Sequence, residues 1–317
     1  MSGKHLEGKV TNEDAKTSID LHTLATKESL KLAKEILNTS TRRVDIPVRH
    51  SFVRDPKNNG NTPLSRLVAA RGRGNAVAIR LFIALIWRCS SPPFDTDVSS
   101  RKWATLLSLD DPEKAGAKRV SDALKTLERE KLIKLTPHPG QPSTIQLLEE
   151  SGTGTAYELP STAYVRSNDH KDQHLYFKIP SRLWTQGHIQ SLSAPALAIL
   201  LAVLSSQEAP GKPVWWSTTL FPARFGLSPA TRARGTKELV DQGLLKVGKT
   251  LVTESSFSTR EFSRERVRNV YRLTGAAGPA RTIKKRPNPP AAVKPPASMI
   301  GTAAISPRRL PKKDQPS

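Results

Sequence analysis

Cysteine and methionine are scarce in this chain of 317 residues, and acidic residues are few beside basic ones. The single cysteine, Cys89, excludes an intramolecular disulfide and any cysteine-based zinc module, and it fits a reducing cytoplasm. No apolar core follows residues 1–5, as a signal peptide would require. The longest apolar run, residues 194–204, contains Pro195 and is too short to cross a bilayer. We therefore expect a cytoplasmic protein that is neither secreted nor membrane-spanning.

Positive charge is what the chain has in excess. It has 50 Lys and Arg against 28 Asp and Glu, which gives a formal net charge of +22 and an isoelectric point near 10.4. Such a surplus selects polyanionic partners, so nucleic acid is the first candidate and an anionic membrane surface the second. Small acidic metabolites would not need so much charge.

Composition divides the chain into five segments. Residues 1–45 contain one short amphipathic helix over 27–37, which suits packing on its own domain or, alternatively, a partner helix in a homodimer. Residues 46–150 and 175–274 form two domains, joined by a linker at 151–174. The tail, 275–317, has nine prolines and nine Lys or Arg against one acid, which predicts a disordered basic segment that aids solubility or adds DNA affinity.

The two domains are copies of one unit of three helices followed by a hairpin. In the first copy we expect helices around 77–86, 99–107 and 118–131, then strands at 132–135 and 144–148. In the second copy we expect helices at 194–204, 218–225 and from Pro229 to a stop at Gly243, with Ser193 and Ser228 as N-caps. Its strands are expected at 244–247 and 267–273.

A displacement of 112 residues aligns the copies. It places Leu127 on Leu239 and Leu132 on Leu244, and the turn at 107–109 answers the one at 225–227. Each copy also opens with an Ile-Pro pair, at 46–47 and 179–180. One duplication explains all of these matches.

The third helices contain the candidate binding residues. The first has a stripe expected to be buried, formed by Val120, Ala123, Leu124 and Leu127, which leaves these residues on the opposite face: Lys118, Ser121, Asp122, Lys125 and Arg129. In the second, Arg232 and Thr236 take the places of Val120 and Leu124. This predicts a small rotation that buries Ala233, Thr236 and Val240 and presents Thr231, Arg234 and Lys237.

The second copy is the more basic one. Residues 212–272 hold 12 basic and 5 acidic residues, compared with 9 and 6 over 101–135. The long loop expected between its strands, roughly 248–266, holds Lys249, Arg260, Arg264 and Arg266, with Arg268 just beyond. Such a loop suits contacts along a phosphate backbone.

Three helices followed by a two-stranded wing resemble the winged helix-turn-helix, on residues 107–135 and 225–247. The resemblance implies an α+β fold with two tandem winged helices, the third helix in the major groove of DNA and the wing on phosphates or the minor groove. One chain with two unlike DNA-reading domains suits directly repeated, non-palindromic DNA sites. In this arrangement, and in the segment Tyr176-Phe177-Lys178-Ile179-Pro180, the chain resembles plasmid replication initiators.

The expected function is therefore sequence-specific binding of double-stranded DNA in replication initiation, at the nucleoid or a plasmid, with host replication proteins as partners. A winged-helix transcriptional regulator is the alternative, followed by an architectural or partition protein. No enzymatic activity, cofactor or metal is expected.

Three motifs compete with this interpretation. Residues 243–250 satisfy the P-loop pattern, which would make the chain an ATPase, but a helix precedes and a strand follows, the reverse of a nucleotide loop. His170 and His174 have a metal-ligand spacing but lack a third ligand close by. Trp215 and Trp216 suit packing or, alternatively, stacking on bases.

Overall fold

The structure, a computed structural model, describes residues 24–39, 45–70, 74–167, 171–252 and 266–279. In these ranges helices and small antiparallel sheets form an α+β fold, as expected. The chain up to Pro279 clusters as one compact unit, which contains both repeats. The expected disordered tail lies outside the described residues from position 280 onward.

The N-terminal helix α1 (Lys27–Thr39) begins where the sequence predicts. The backbone N–H of Ser29 donates to Oγ1 of Thr26 at 3.2 Å, and Oγ of Ser29 donates to the carbonyl of Leu106 at 2.5 Å. Ala33 is fully buried. The helix therefore packs within the chain, both against the second helix of the first repeat and against Arg182–Thr185, which precedes the second repeat.

The first repeat follows the expected order and adds one short strand. After helix α2 (Pro63–Ala69), its elements are α3 (Asn75–Arg88), β2 (Asp95–Thr96), α4 (Ser100–Leu106), α5 (Ala115–Arg129), β3 (Ile133–His138) and β4 (Gln141–Leu147). The three strands form one sheet in the order β2-β4-β3. Both hairpin strands are longer than predicted. Strand β3 continues through Pro137, where the register shifts between Thr136 and His138, and edge strands and bulges tolerate the missing N–H; β4 begins at Gln141, one residue before Pro142.

The second repeat has the same order. Its elements are α9 (Ala194–Ser206), α10 (Leu220–Phe225), α11 (Pro229–Asp241), β6 (Leu245–Val252) and β7 (Arg266–Leu273). Ser193 and Ser228 cap α9 and α11, since their side chains accept the N–H groups of Ala196 and Thr231. In place of β2, Val214 forms a single bridge to Tyr271.

The joint between the third helix and the hairpin is the same in both repeats. The N–H of Leu132 donates to the carbonyl of Leu127 at 3.0 Å, and the N–H of Leu244 donates to that of Leu239 at 2.9 Å. All four leucines are buried. The displacement of 112 residues therefore matches equivalent positions in space as well as in sequence.

The two opening Ile-Pro pairs lie opposite each other. Strand β1 (Asp45–Arg49) pairs antiparallel with β5 (Tyr176–Pro180), with Ile46 opposite Ile179. The strands that open the two repeats thus form a sheet with each other, and the apolar side chains of both repeats share one core cluster.

The segment expected to be a linker is packed and partly helical. It contains α6 (Pro160–Arg166) and a short 3-10 helix, Lys171–His174, and β5 leads through α7 (Arg182–Thr185) and α8 (His188–Ser191) into the second repeat. Just before it, Glu150 forms a fully buried ion pair with Arg49, which also donates to the carbonyl of Glu158 at 2.8 Å. This stretch is therefore fastened to β1.

Candidate nucleic-acid interface

Helix α5 has the two faces that its sequence predicts. Val120, Ala123, Leu124 and Leu127 are buried, with exposed fractions of 0%, 4%, 8% and 0%. These cationic side chains are exposed on the other side of the helix: Lys118, Lys125 and Arg129. None of the three forms an ion pair with a described residue. They are therefore available to a polyanion.

Ser121 lies at the edge of this face and is half-buried. Its hydroxyl donates to the carbonyl of Ala117 at 3.1 Å and lies 3.3 Å from the hydroxyl of Ser100 on α4. Together with Lys125 these side chains line a groove of about 350 Å³ between α4, α5 and the hairpin. A hydroxyl in this position can still present a lone pair to a ligand in the groove.

Helix α11 does not rotate as its sequence suggested. It buries Thr231, Gly235 and Leu239, while Ala233 and Val240 are exposed. The expected rotation is therefore wrong, and the helix keeps the register of α5. Gly235 explains this, because a Cβ there would lie 2.3 Å from the carbonyl oxygen of Pro195, so α9 and α11 are in close contact at this point.

Arg232 takes the place of Val120 by stacking on aromatic rings. Its guanidinium lies 4.6 Å from the ring centroid of Phe221, 5.3 Å from that of Tyr271 and 5.7 Å from that of Trp216. Two of its nitrogens also donate to the Tyr271 hydroxyl, at 2.8 and 3.1 Å. The cation is thereby held within the domain and is not part of the exposed face.

The candidates on α11 divide accordingly. Thr231 is only 8% exposed and its hydroxyl contacts that of Ser228 at 3.0 Å, so it belongs to the helix start and not to the exposed face. Arg234 and Lys237 are exposed as expected. Lys237 pairs with Asp241 at 2.7 Å, and this hydrogen-bonded carboxylate raises the pKa of the Lys237 ammonium. Arg234 is the free cation of the two within the described ranges.

The hairpin of the second repeat is more regular than its sequence predicted. Residues 248–252 continue strand β6 instead of starting a loop, and Arg266 begins β7. Lys249 is exposed on β6 opposite Asn269. Arg260 and Arg264 lie outside the described residues.

Sequence reasoning missed part of the basic surface of this hairpin. Lys246 on β6 lies opposite Arg272 on β7, and both are exposed. The guanidinium of Arg268 lies 4.1 Å from the ring centroid of Trp215. Arg268 is among the candidates expected from the sequence, but Lys246 and Arg272 are not. Alternation along β7 would have found Arg272, because Tyr271 and Leu273 point to the core and Arg272 between them points away.

The described residues of the competing motifs lie in ordinary turns, strands and helices. The P-loop-like stretch, residues 243–250, follows the end of α11 and consists of the left-handed Gly243, Leu244 and most of strand β6, with Lys249 within the strand. His174 ends a 3-10 helix, while His170 lies outside the described residues. In the described ranges, no group of three or more His, Cys, Asp and Glu is placed to hold a metal ion.

Comparisons with protein-family models, with curated proteins and with solved structures find no match to this chain. Among the residues that the structure describes, no helix has the length and apolar character needed to cross a bilayer.

Proposed function

We propose that the chain binds double-stranded DNA through two tandem winged helices. One observation carries the proposal: each repeat sets an exposed cationic third helix beside an antiparallel hairpin, in the order helix, strand or bridge, helix, helix, hairpin. A single α-helix fits the major groove, which is about 12 Å wide, while a hairpin beside it reaches phosphates. Helices α5 and α11 are then the reading helices.

The side chains divide into readers and anchors. Lys118, Ser121 and Lys125 on α5, and Arg234 and Lys237 on α11, are the candidates for base edges and nearby phosphates. Lys249 on the second hairpin and Arg129 at the end of α5 are the candidates for phosphates alone. Lys237 must exchange Asp241 for a phosphate when it binds.

The two heads differ in chemistry. At equivalent positions, Asp122 of α5 is answered by Arg234 of α11 and Ser121 by Ala233, whereas Lys125 is matched by Lys237. A symmetric homodimer reads a palindrome, but these unlike heads in one chain suit unlike half-sites read in one direction. Directly repeated sites are therefore the proposed target, and initiation of plasmid replication is the proposed role.

A binding titration tests the duplex proposal. Affinity for a labelled duplex carrying the repeats of its own locus should fall steeply with salt, since each neutralised phosphate adds about 0.9 to the log–log slope. Lys125→Ala and Arg234→Ala should each weaken specific binding roughly tenfold or more. Lys31→Ala, which removes an exposed cation from α1, is the control and should change affinity little. Salt-independent binding, or equal losses in all three variants, would contradict the proposal.

A maintenance assay tests the biological role. The gene and its flanking DNA, placed on a replicon without an origin, should restore maintenance in a suitable host. The double variant Lys118→Ala, Arg234→Ala should lose it. Protection of a single palindrome without maintenance would instead identify a transcriptional regulator.

A further inference from the structure

The hairpin of the second repeat has an outer face with a composition unlike that of the rest of the domain. Tyr271 and Leu273 are buried on the core side, so Lys246, Arg268 and Arg272 belong to the opposite side of the sheet. Residues 245–252 and 266–273 include no Asp or Glu. The charged side chains on this face, which we call the outer face, are therefore all cationic, and the uncharged Gly248, Thr250 and Val270 lie between them.

An aromatic ring completes the outer face. Trp215 follows Val214, which bridges Tyr271, so its side chain lies on the same side as Arg268. Trp215 is 48% exposed, whereas its neighbour Trp216 is 7% exposed and packs against Phe221, Phe225 and Tyr271. Trp216 thus supplies the core contact, and the core does not need the exposed indole.

The first repeat provides a comparison at equivalent positions. Thr96 pairs with Ile145 as Val214 pairs with Tyr271, so Asp97 stands in the place of Trp215. By the same register Pro142 stands in the place of Arg268 and Gln146 in that of Arg272. The fold therefore does not require an aromatic ring or arginines there. The fold alone does not account for Trp215, Arg268 and Arg272 in the second repeat, whereas a bound ligand would.

The chemistry of that ligand follows from the face. Arginine and lysine select phosphates, and an exposed indole selects a flat ring whose face is accessible. Bases in a duplex are stacked on one another and offer no free face, but unpaired bases do. Nearly half of the Trp215 residue is exposed to solvent even with Arg268 against its ring, which leaves room for a base.

We propose that the outer face binds single-stranded DNA, with one base stacked on Trp215 and the adjoining phosphates on Lys246, Arg268 and Arg272. This goes beyond the proposed duplex binding and does not depend on it, because α5 and α11 contribute no residue to the face. A chain with both surfaces would hold a duplex site and a nearby unpaired strand.

The test is fluorescence anisotropy of a labelled oligothymidylate of about 15 nucleotides, within the range of known single-strand site sizes, with the full chain at physiological salt. Trp215→Ala should lower the affinity about tenfold, the expected effect of losing one stacked base. Trp215→Phe should retain most of it, because the ring remains. Arg268→Ala should reduce the salt slope by about 0.7, the value for one phosphate on a single strand.

A matched control is available within the chain. Tyr164, 37% exposed with Lys171 at 5.8 Å from its ring, is another exposed aromatic–cation pair, so Tyr164→Ala should leave the affinity unchanged. Melting curves of each variant verify the fold. Equal affinity of Trp215→Ala and the wild type, an equal loss in Tyr164→Ala, or no single-strand binding by the wild type would overturn the proposal. An equal loss on a blunt duplex of the same length would also overturn it, while Arg234→Ala on duplex tests the other surface separately.

Discussion

The two repeats end their second and third helices in the same left-handed backbone conformation but with different residues. The second repeat uses Gly226 and Gly243, at φ of 65° and 68°, whereas the first uses Ser108 and Lys131, at 54° and 57°. Residues with a Cβ lose roughly 1–2 kcal/mol in this conformation. The first repeat therefore holds backbone strain at two joints where the second holds none.

Part of this strain has a structural reason. The hydroxyl of Ser108 accepts the N–H of Thr26 at 2.9 Å, so the serine fastens the start of α1 to the first repeat. Gly226 has a different reason to be glycine, since a Cβ there would lie 1.9 Å from the carbonyl oxygen of Gly60. At equivalent positions, Ser108 thus binds the start of α1, whereas Gly226 allows a close contact with Gly60. Nothing in the structure explains the strained lysine at 131.

The repeats also place their cations on different elements. Helix α5 has four basic residues, compared with three in α11, of which Arg232 is enclosed by aromatic rings and Lys237 is paired. The hairpins reverse this order, because β3 and β4 contain only Lys134 whereas β6 and β7 contain five basic residues. The first repeat therefore carries most of these cations on its third helix, whereas the second repeat carries most of them on its hairpin.

The largest expected effect tests whether the equivalent core anchors contribute equally. Leu127→Ala and Leu239→Ala each remove a fully buried side chain at the same place in a repeat. Each should lower the free energy of unfolding by roughly 2–5 kcal/mol, measured by urea denaturation. If one variant lost most of its stability and the other nearly none, the two positions would not be equivalent.

The next effect concerns the close approach of α9 and α11 at Gly235, a position that Ala123 takes in the first repeat. Gly235→Ala should cost about 1–3 kcal/mol, because its Cβ would meet Pro195 and Ile199 at 2.3 and 2.7 Å. Gly248→Ala serves as the control, since nothing lies within 4 Å of its Cβ. Thermal melting compares the two. Equal melting temperatures would contradict the close approach of α9 and α11.

The smallest expected effect comes from relieving the backbone strain at Lys131 in the first repeat. Lys131→Gly should stabilise the protein by roughly 0.5–1 kcal/mol, the strain released less the extra backbone entropy of glycine in the unfolded chain. Gly243→Ala should cost about 1 kcal/mol, and since no atom lies within 4 Å of its Cβ this cost is purely conformational. Denaturation midpoints measure both changes. Lys131→Ala is the control: it keeps the Cβ and hence the strain, so it should gain nothing. A loss of stability in Lys131→Gly would indicate a contact of the lysine that outweighs the strain.

Much of the backbone was predictable because local signals agreed. Ser193 and Ser228 with their following prolines fixed two helix starts, and the stripe of α5 predicted its buried face. The repeat itself followed from leucines at a constant spacing. These features depend on residues a few positions apart, where periodicity and capping decide the structure.

The errors arose where distant residues decide. Arg232 looked like a misfit in a buried stripe because its partners, Trp216 and Tyr271, are far from it in sequence. The rotation of α11 was inferred from that misfit, although Gly235 in a helix interior already indicated a close backbone contact. The pairing of Ile46 with Ile179 likewise joins residues that no local pattern connects.

That pairing has a consequence for biosynthesis. The register joins residues 45 and 180, so on the ribosome the strand that opens the first repeat waits for its partner. At typical elongation rates of about 5–20 residues per second, the delay is on the order of ten seconds. During that time Ile46 and Val48 belong to an unpaired edge, the kind of surface on which nascent chains associate wrongly. The first repeat is therefore synthesised first, but its opening strand β1 is paired only after β5 has been synthesised.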